Sequence, residues 1–188
     1  MPNHCNNTVT ISGKTEDVKK VLSIVSTKDN PFDFDAIVPY PKKFKDQDQF
    51  ANDYEAKHGF QERIKNNIVD GYNNGGYDWC VSNWGTKWNS YDHSNDQFDV
   101  VESGDHTTAT LSFLTAWSPP IGVMEQLVEL FPDLDITLEY HELGMNYRGQ
   151  FDGDSGDQSW EITDDDLAEL GYDDIIEDED EDEEQETV

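Results

Sequence analysis

Apolar positions change period twice in the first part of the chain. Val9 and Ile11 alternate with Thr8, Thr10 and Ser12, which predicts a strand over Asn7–Ser12, ended by Gly13. Val18, Val21, Leu22 and Val25 then recur at helical spacing, so a helix is expected over about 16–26. Thr15 is its candidate N-cap, with Glu16 and Asp17 where the helix dipole favours acids. Asn30-Pro31 stops it. Phe32–Pro39 reads as an extended segment, and Pro39 and Pro41 confine it to an edge or a connection. From Phe44 to Asp70 the chain is polar, with weak helical character around Tyr54–Ile68. It reads as an insertion that lids or flanks a sheet. Gly71–Gly76 is expected to be a flexible turn.

The second part is more regular. Asp78–Asn83 fits a short strand or a helix end. Phe98–Glu102 and Thr107–Thr115 predict a hairpin about Ser103-Gly104-Asp105. Trp117-Ser118-Pro119-Pro120 breaks the second of these strands, and Ser118 is a candidate cap for the next helix. Ile121, Met124, Leu127, Val128 and Phe131 then form a helical stripe, ended by Pro132. Asp135–Glu142 predicts a strand with Ile136, Leu138 and Tyr140 on one face, and Tyr147–Phe151 extends it or adds another. Strand, helix, insertion, hairpin, helix, strand is an α+β order. It fits the split βαβ plan, with two helices on one face of a mostly antiparallel sheet. The expected domain spans 1–151 with an insertion at about 39–77. Residues 152–188 form an acidic extension in which Thr163–Leu170 is a short capped helix. From about 177 the composition is that of a disordered segment.

Charge sharpens this division. The formal net charge is −30. Residues 152–188 hold 19 Asp and Glu and no Lys or Arg, while residues 1–151 hold 23 acids and 12 bases. Such a field repels DNA, RNA and anionic lipid and attracts basic protein surfaces. No apolar run reaches the ~18 residues of a membrane helix, and Met1–Thr10 does not read as a secretory signal. Two cysteines, Cys5 and Cys80, indicate no disulfide framework and fit a reduced, intracellular setting as buried packing thiols.

Candidate chemistry is sparse. The five histidines are scattered without zinc-helix spacing, although His4-Cys5 and His141-Glu142 converge if the first and last strands are neighbours. No phosphate loop or nucleophile elbow is present. Asp152–Asp157 resembles the start of a calcium loop but has Asp157 where that loop needs Gly and Thr163 where it needs Glu. It reads better as a flexible acidic connection. The densest feature is Trp79–Asp92, with three of the five tryptophans. Its centre, Asn83-Trp84-Gly85-Thr86-Lys87-Trp88-Asn89, resembles the signature of the YubB ferredoxin-like family, Api-type proteins carried by phages, prophages and plasmids. The resemblance covers most of Asn3–Gly149. It implies the ferredoxin-like fold and a mobile-element setting, and no reaction.

These readings converge on a non-catalytic phage or mobile-element accessory protein in the host cytoplasm. It is expected to inhibit a host defence protein by acidic mimicry at a basic, nucleic-acid-binding surface, without cofactor, metal, membrane or direct nucleic-acid contact. The expected contacts are Asp164, Asp165, Asp166, Leu167, Leu170, Tyr172, Asp173, Asp174, Ile175, Ile176, Glu177 and Asp178. The apolar members among them would add specificity to charge. The alternative is a nucleotide-like ligand module or sponge built on Trp79, Asn83, Trp84, Lys87 and Trp88, which could stack on a flat ligand, although such aromatics more often pack the core.

Overall fold

A computed structural model describes residues 3–28, 30–93 and 98–172. The strands are β1 (His4–Lys14), β2 (Phe98–Ser103), β3 (His106–Ala116), β4 (Asp135–Glu142), β5 (Tyr147–Asp152) and β6 (Gly156–Glu161). They form one antiparallel sheet in the order β2-β3-β1-β4-β5-β6. The first four make the split βαβ unit, and β5 and β6 widen it beyond β4. The helices are α1 (Thr15–Val25), α2 (Phe34–Ile37), α3 (Lys42–His58), α4 (Phe60–Lys65), α5 (Tyr77–Asn83), α6 (Ile121–Leu130) and α7 (Asp164–Leu170).

The period-2 pattern decides which face is covered. Val9 and Ile11 of β1, Leu111 and Phe113 of β3, and Ile136 and Leu138 of β4 are buried with Val18, Val21 and Val25 of α1 and Met124 and Leu127 of α6. The alternate residues, Thr8, Thr10, Thr110, Ser112 and Thr137, turn to the opposite, half-exposed face. This is the ferredoxin-like arrangement, with the two framework helices on one side.

Several local expectations are corrected. Thr15 is the first residue of α1 rather than its cap. Lys14 holds the cap position, and the Thr15 hydroxyl accepts from that of Thr107 at 2.9 Å. Phe32–Pro39 is not extended. Asp33 caps α2 by accepting the Asp35 N–H, and one helical turn brings Phe34 and Ile37 to the same buried side, where a strand would separate them. The insertion is more helical than its composition suggests. α3 begins at Lys42, although only Phe44 and Ala51 on it are buried. Gly71–Gly76 is a packed kink rather than a loose turn: Asn74 and Gly75 (φ 104°) leave helical geometry just before α5, and the segment packs on Phe44 and Tyr40. Ser118 does not cap α6, whose cap position is Pro120. Asp152–Asp157 is a tight reversal rather than a loose connection. Asp152 Oδ1 accepts the N–H groups of Asp154 and Ser155, and β6 then pairs along β5.

Candidate functional site

The tryptophan motif divides its work between core and surface. Trp84 is buried among Phe34, Tyr40 and Trp79, and its indole N–H donates to the Val38 carbonyl at 2.8 Å. That contact pins the insertion to the sheet. Asn89 closes the same region by accepting the Phe34 N–H and donating to Asp33. The next residues reach the other way. Gly85 has φ of 89°, and a Cβ there would lie 2.9 Å from the Pro119 carbonyl, so only glycine fits. The Thr86 hydroxyl donates to the Ala116 carbonyl at 2.9 Å, and the Ser118 hydroxyl donates to the Gly85 carbonyl at 2.6 Å. Lys87 places its ammonium 3.9 Å from the centroid of the Trp117 ring.

The motif therefore grips the corner between β3 and α6, and the corner presents Trp117. Trp117 has φ of 76°, a left-handed conformation that costs a non-glycine residue about 1–2 kcal/mol. The residue is held at both ends: its N–H donates to the Asn3 carbonyl, and its carbonyl accepts from the Tyr147 hydroxyl at 2.7 Å. The indole itself is 46% exposed.

Beside it lies a cavity of about 560 Å³ between the start of α6 and the β5–β6 hairpin. Trp117, Tyr140, Tyr147, Met145, Ile121 and Pro119 supply its apolar walls, and Ser118, Asp157 and Ser159 its polar groups. Its size is in the range of small-ligand sites. Tyr140 reaches across β5 to donate its hydroxyl to Asp157 Oδ1 at 2.6 Å. Gly149 makes this possible, because a Cβ there would collide with that hydroxyl. Burial, reinforced by the hydrogen bond to Asp157, holds the Tyr140 phenol well above its ordinary range, so it stays a donor. Burial likewise raises Tyr147.

A second cavity of about 210 Å³ lies on the insertion side, lined by Tyr40, Asp48, Tyr72, Cys80, Trp84, Trp88 and Asn89. The Tyr40 hydroxyl is buried without a hydrogen-bond partner among the described residues. Cys5 and Cys80 are free and buried, and burial pushes each thiol up to about 12. They are packing thiols rather than nucleophiles. His4 and His141 do face the same side of neighbouring strands, but His4 bonds the Tyr91 hydroxyl and His141 sits against Tyr172. No group of three His, Cys, Asp or Glu suited to a metal occurs among the described residues.

Among the described residues, acids concentrate from α6 through β4–β6 to α7. From Ile121 to Tyr172 the chain carries 14 acids and one base, Arg148. Arg148 is already engaged: its Nη1 donates to Asp166 and Glu169 of α7, each at 2.8 Å. The helix is fixed at its start by a capping box between Thr163 and Asp166. Tyr172 comes after it and meets His141 edge-on, with ring centroids 5.8 Å apart. His141 and Arg148 lie on the open face, so α7 docks on the side away from α1 and α6.

Of the expected contact residues, Asp164 and Asp165 are exposed on α7, Asp166 is turned toward Arg148, and Leu167, Leu170 and Tyr172 are half-buried. Asp173, Asp174, Ile175, Ile176, Glu177 and Asp178 lie outside the described residues. Of the five motif residues, Trp84 is core and Trp79 packs against it. The Asn83 side chain donates to the Trp79 carbonyl. Trp88, 38% exposed, reaches the surface near the half-buried Lys87. Sequence reasoning misses Trp117, Tyr140, Met145, Tyr147 and Asp157. The usable signal is an aromatic placed directly before Ser118-Pro119-Pro120, a stretch that by itself reads only as the end of a strand.

Residues 83–188 match the model of a family described as the ferredoxin-like domain in Api92-like protein. Among solved structures, the crystal structure of a protein api92 from Yersinia pseudotuberculosis is similar, with 12% identity and a TM-score of 0.47, over 87% of this chain and 99% of that one. No curated protein matches the chain.

Proposed function

This chain belongs to the Api92-like family and carries its ferredoxin-like domain, and we propose that it is a non-catalytic inhibitor that binds a basic protein surface. In finer terms it is a YubB-type accessory protein of a phage or plasmid, acting in the host cytoplasm. Its target is a nucleic-acid-binding host defence protein, whose basic groove it fills by acidic mimicry. The observation that carries this reading is the β4–β6 edge with its docked α7, Asp135–Tyr172, with 11 acids and one base that is spent internally on α7. Unneutralised charge concentrated along one edge attracts a basic partner and speeds its encounter.

The test is affinity capture from host lysate, comparing the full chain with a chain ending at Tyr172. Capture of a basic nucleic-acid-binding protein, weakening steeply between low and moderate salt, is the expected result. Capture by the full chain alone assigns the contact to residues 173–188, and capture by both assigns it to the folded edge. Binding indifferent to salt removes the mimicry reading.

A second reading keeps the tryptophan motif as a small-ligand site. It is supported by the cavity of about 210 Å³ and the buried Tyr40 hydroxyl, which has no hydrogen-bond partner among the described residues. That volume is below the ~300 Å³ at which small-molecule sites usually begin, so it ranks second. Direct calorimetry with nucleotides tests it.

A further inference from the structure

We propose that the cavity beside Trp117 is a socket for an arginine side chain of the protein's partner. The inference rests on the reading that the partner is basic, and it supplies what charge alone lacks, a point of specificity. Three observations converge on a guanidinium. The walls are aromatic and aliphatic: Trp117, Tyr140 and Tyr147 offer ring surface, and Met145 and Ile121 suit an aliphatic stem. A carboxylate, Asp157, stands at the polar side, oriented by the Tyr140 hydroxyl at 2.6 Å, with Ser118 and Ser159 beside it. The indole of Trp117 already binds a cation within the chain, the Lys87 ammonium at 3.9 Å, and Lys87 does not itself line the cavity.

The charge of the ligand is set by the surroundings. A phosphate or carboxylate entering here would face Asp157 and the acids of the β4–β6 edge without a cavity-lining base to meet it. A planar guanidinium can lie on an aromatic face while donating to a carboxylate, which a compact ammonium does less well. The strained corner adds weight. An exposed tryptophan held at φ of 76° by contacts at both its N–H and its carbonyl is an outlier that fixes the direction of the ring in advance. The signature residues Gly85, Thr86 and Lys87 all converge on that corner, so the motif serves the socket without lining most of it.

The experiment tracks the indole N–H signals of the five tryptophans by NMR while N-acetyl-arginine methylamide is titrated into the full chain. A saturable shift of the Trp117 signal is expected, with N-acetyl-glutamate methylamide giving none. Asp157→Asn keeps an acceptor for Tyr140 and removes the charge, and it should weaken the arginine probe about tenfold. Trp117→Gly relieves the left-handed strain, so it should fold, and the probe should then no longer shift the backbone amide signals of the pocket residues Ser118 and Ser159. An Asp157→Asn protein that binds the probe as tightly as the parent overturns the socket, as does equal binding of a neutral norleucine analogue. Partner capture separates the two readings. If Asp157→Asn captures a basic partner unweakened, the socket falls and the acidic-surface reading stands. If the probe binds as expected and no basic partner is captured, the socket stands and the inhibitor reading falls.

Discussion

Between Lys42 and Asp70 the chain carries six bases and six acids, whereas between Ile121 and Tyr172 it carries one base and 14 acids. The first region pairs most of its bases with nearby acids. Lys42 pairs with Asp46, Lys45 with Asp35, Lys65 with Glu62, and Arg63 bridges Glu55 and Asp70. The second region pairs Arg148 and leaves most of its acids facing water. Two surfaces of one fold thus differ: one balances bases against acids, and the other leaves an excess of acids. The insertion is also held by aromatic packing, with Tyr40 against Phe44, Trp79 and Trp84.

Perturbations can sharpen or break this contrast. The largest effect is expected from Trp84→Ala, which removes the ring packed on Phe34, Tyr40 and Trp79 and its hydrogen bond to Val38. A loss of about 3–5 kcal/mol in urea unfolding is expected for a buried tryptophan. A loss below about 1 kcal/mol would mean that the insertion is anchored elsewhere. Next is Arg148→Gln, which strips α7 of both of its ion contacts while leaving the sheet intact. Hydrogen exchange should show the α7 amides losing protection and those of β1 and β3 keeping theirs; protection retained in α7 would show that Leu167 and Tyr172 hold it without charge.

A third test uses pH. Burial, and after it the nearby Arg148, holds the His141 imidazole below its ordinary value of 6.5. The fold therefore prefers neutral His141, and this contribution is present above about 6.5 and is lost as pH falls through that value and below. The Tyr172–His141 contact should loosen on acidification, visible as line broadening of Tyr172, and a His141 that titrates above 6.5 would contradict it. The smallest effect belongs to Lys65→Ala. Its pair with Glu62 is exposed, so a change under about 0.5 kcal/mol is expected in the same unfolding assay. A larger one would mean that insertion charges matter more than its packing.

The framework is legible in the sequence because burial there obeys a simple period. Val9, Ile11, Leu138 and Met124 announce their faces by spacing alone, and β4 falls on the expected Asp135–Glu142. The insertion is not, because its helices bury few residues and are held by contacts distant in sequence, such as Trp84 with Val38. The candidate socket is hidden for a related reason. Trp117, Tyr140, Tyr147 and Asp157 come from four separate segments, and nothing local marks them as neighbours. The tryptophan motif stands out by its density, but its glycine, threonine and lysine act on a corner some thirty residues on in the chain, as the Thr86–Ala116 bond shows.

The sixth strand has a consequence for anyone who shortens this protein. A cut after Phe151, at the point where the composition turns acidic, would strip β6 from β5 and bare a row of backbone donors and acceptors from Tyr147 to Phe151. Such an open margin recruits other strands, so that version would be prone to aggregate. The acidic hairpin and helix are thus also a border that keeps copies of the chain apart, and a soluble shortened form should end no earlier than Tyr172.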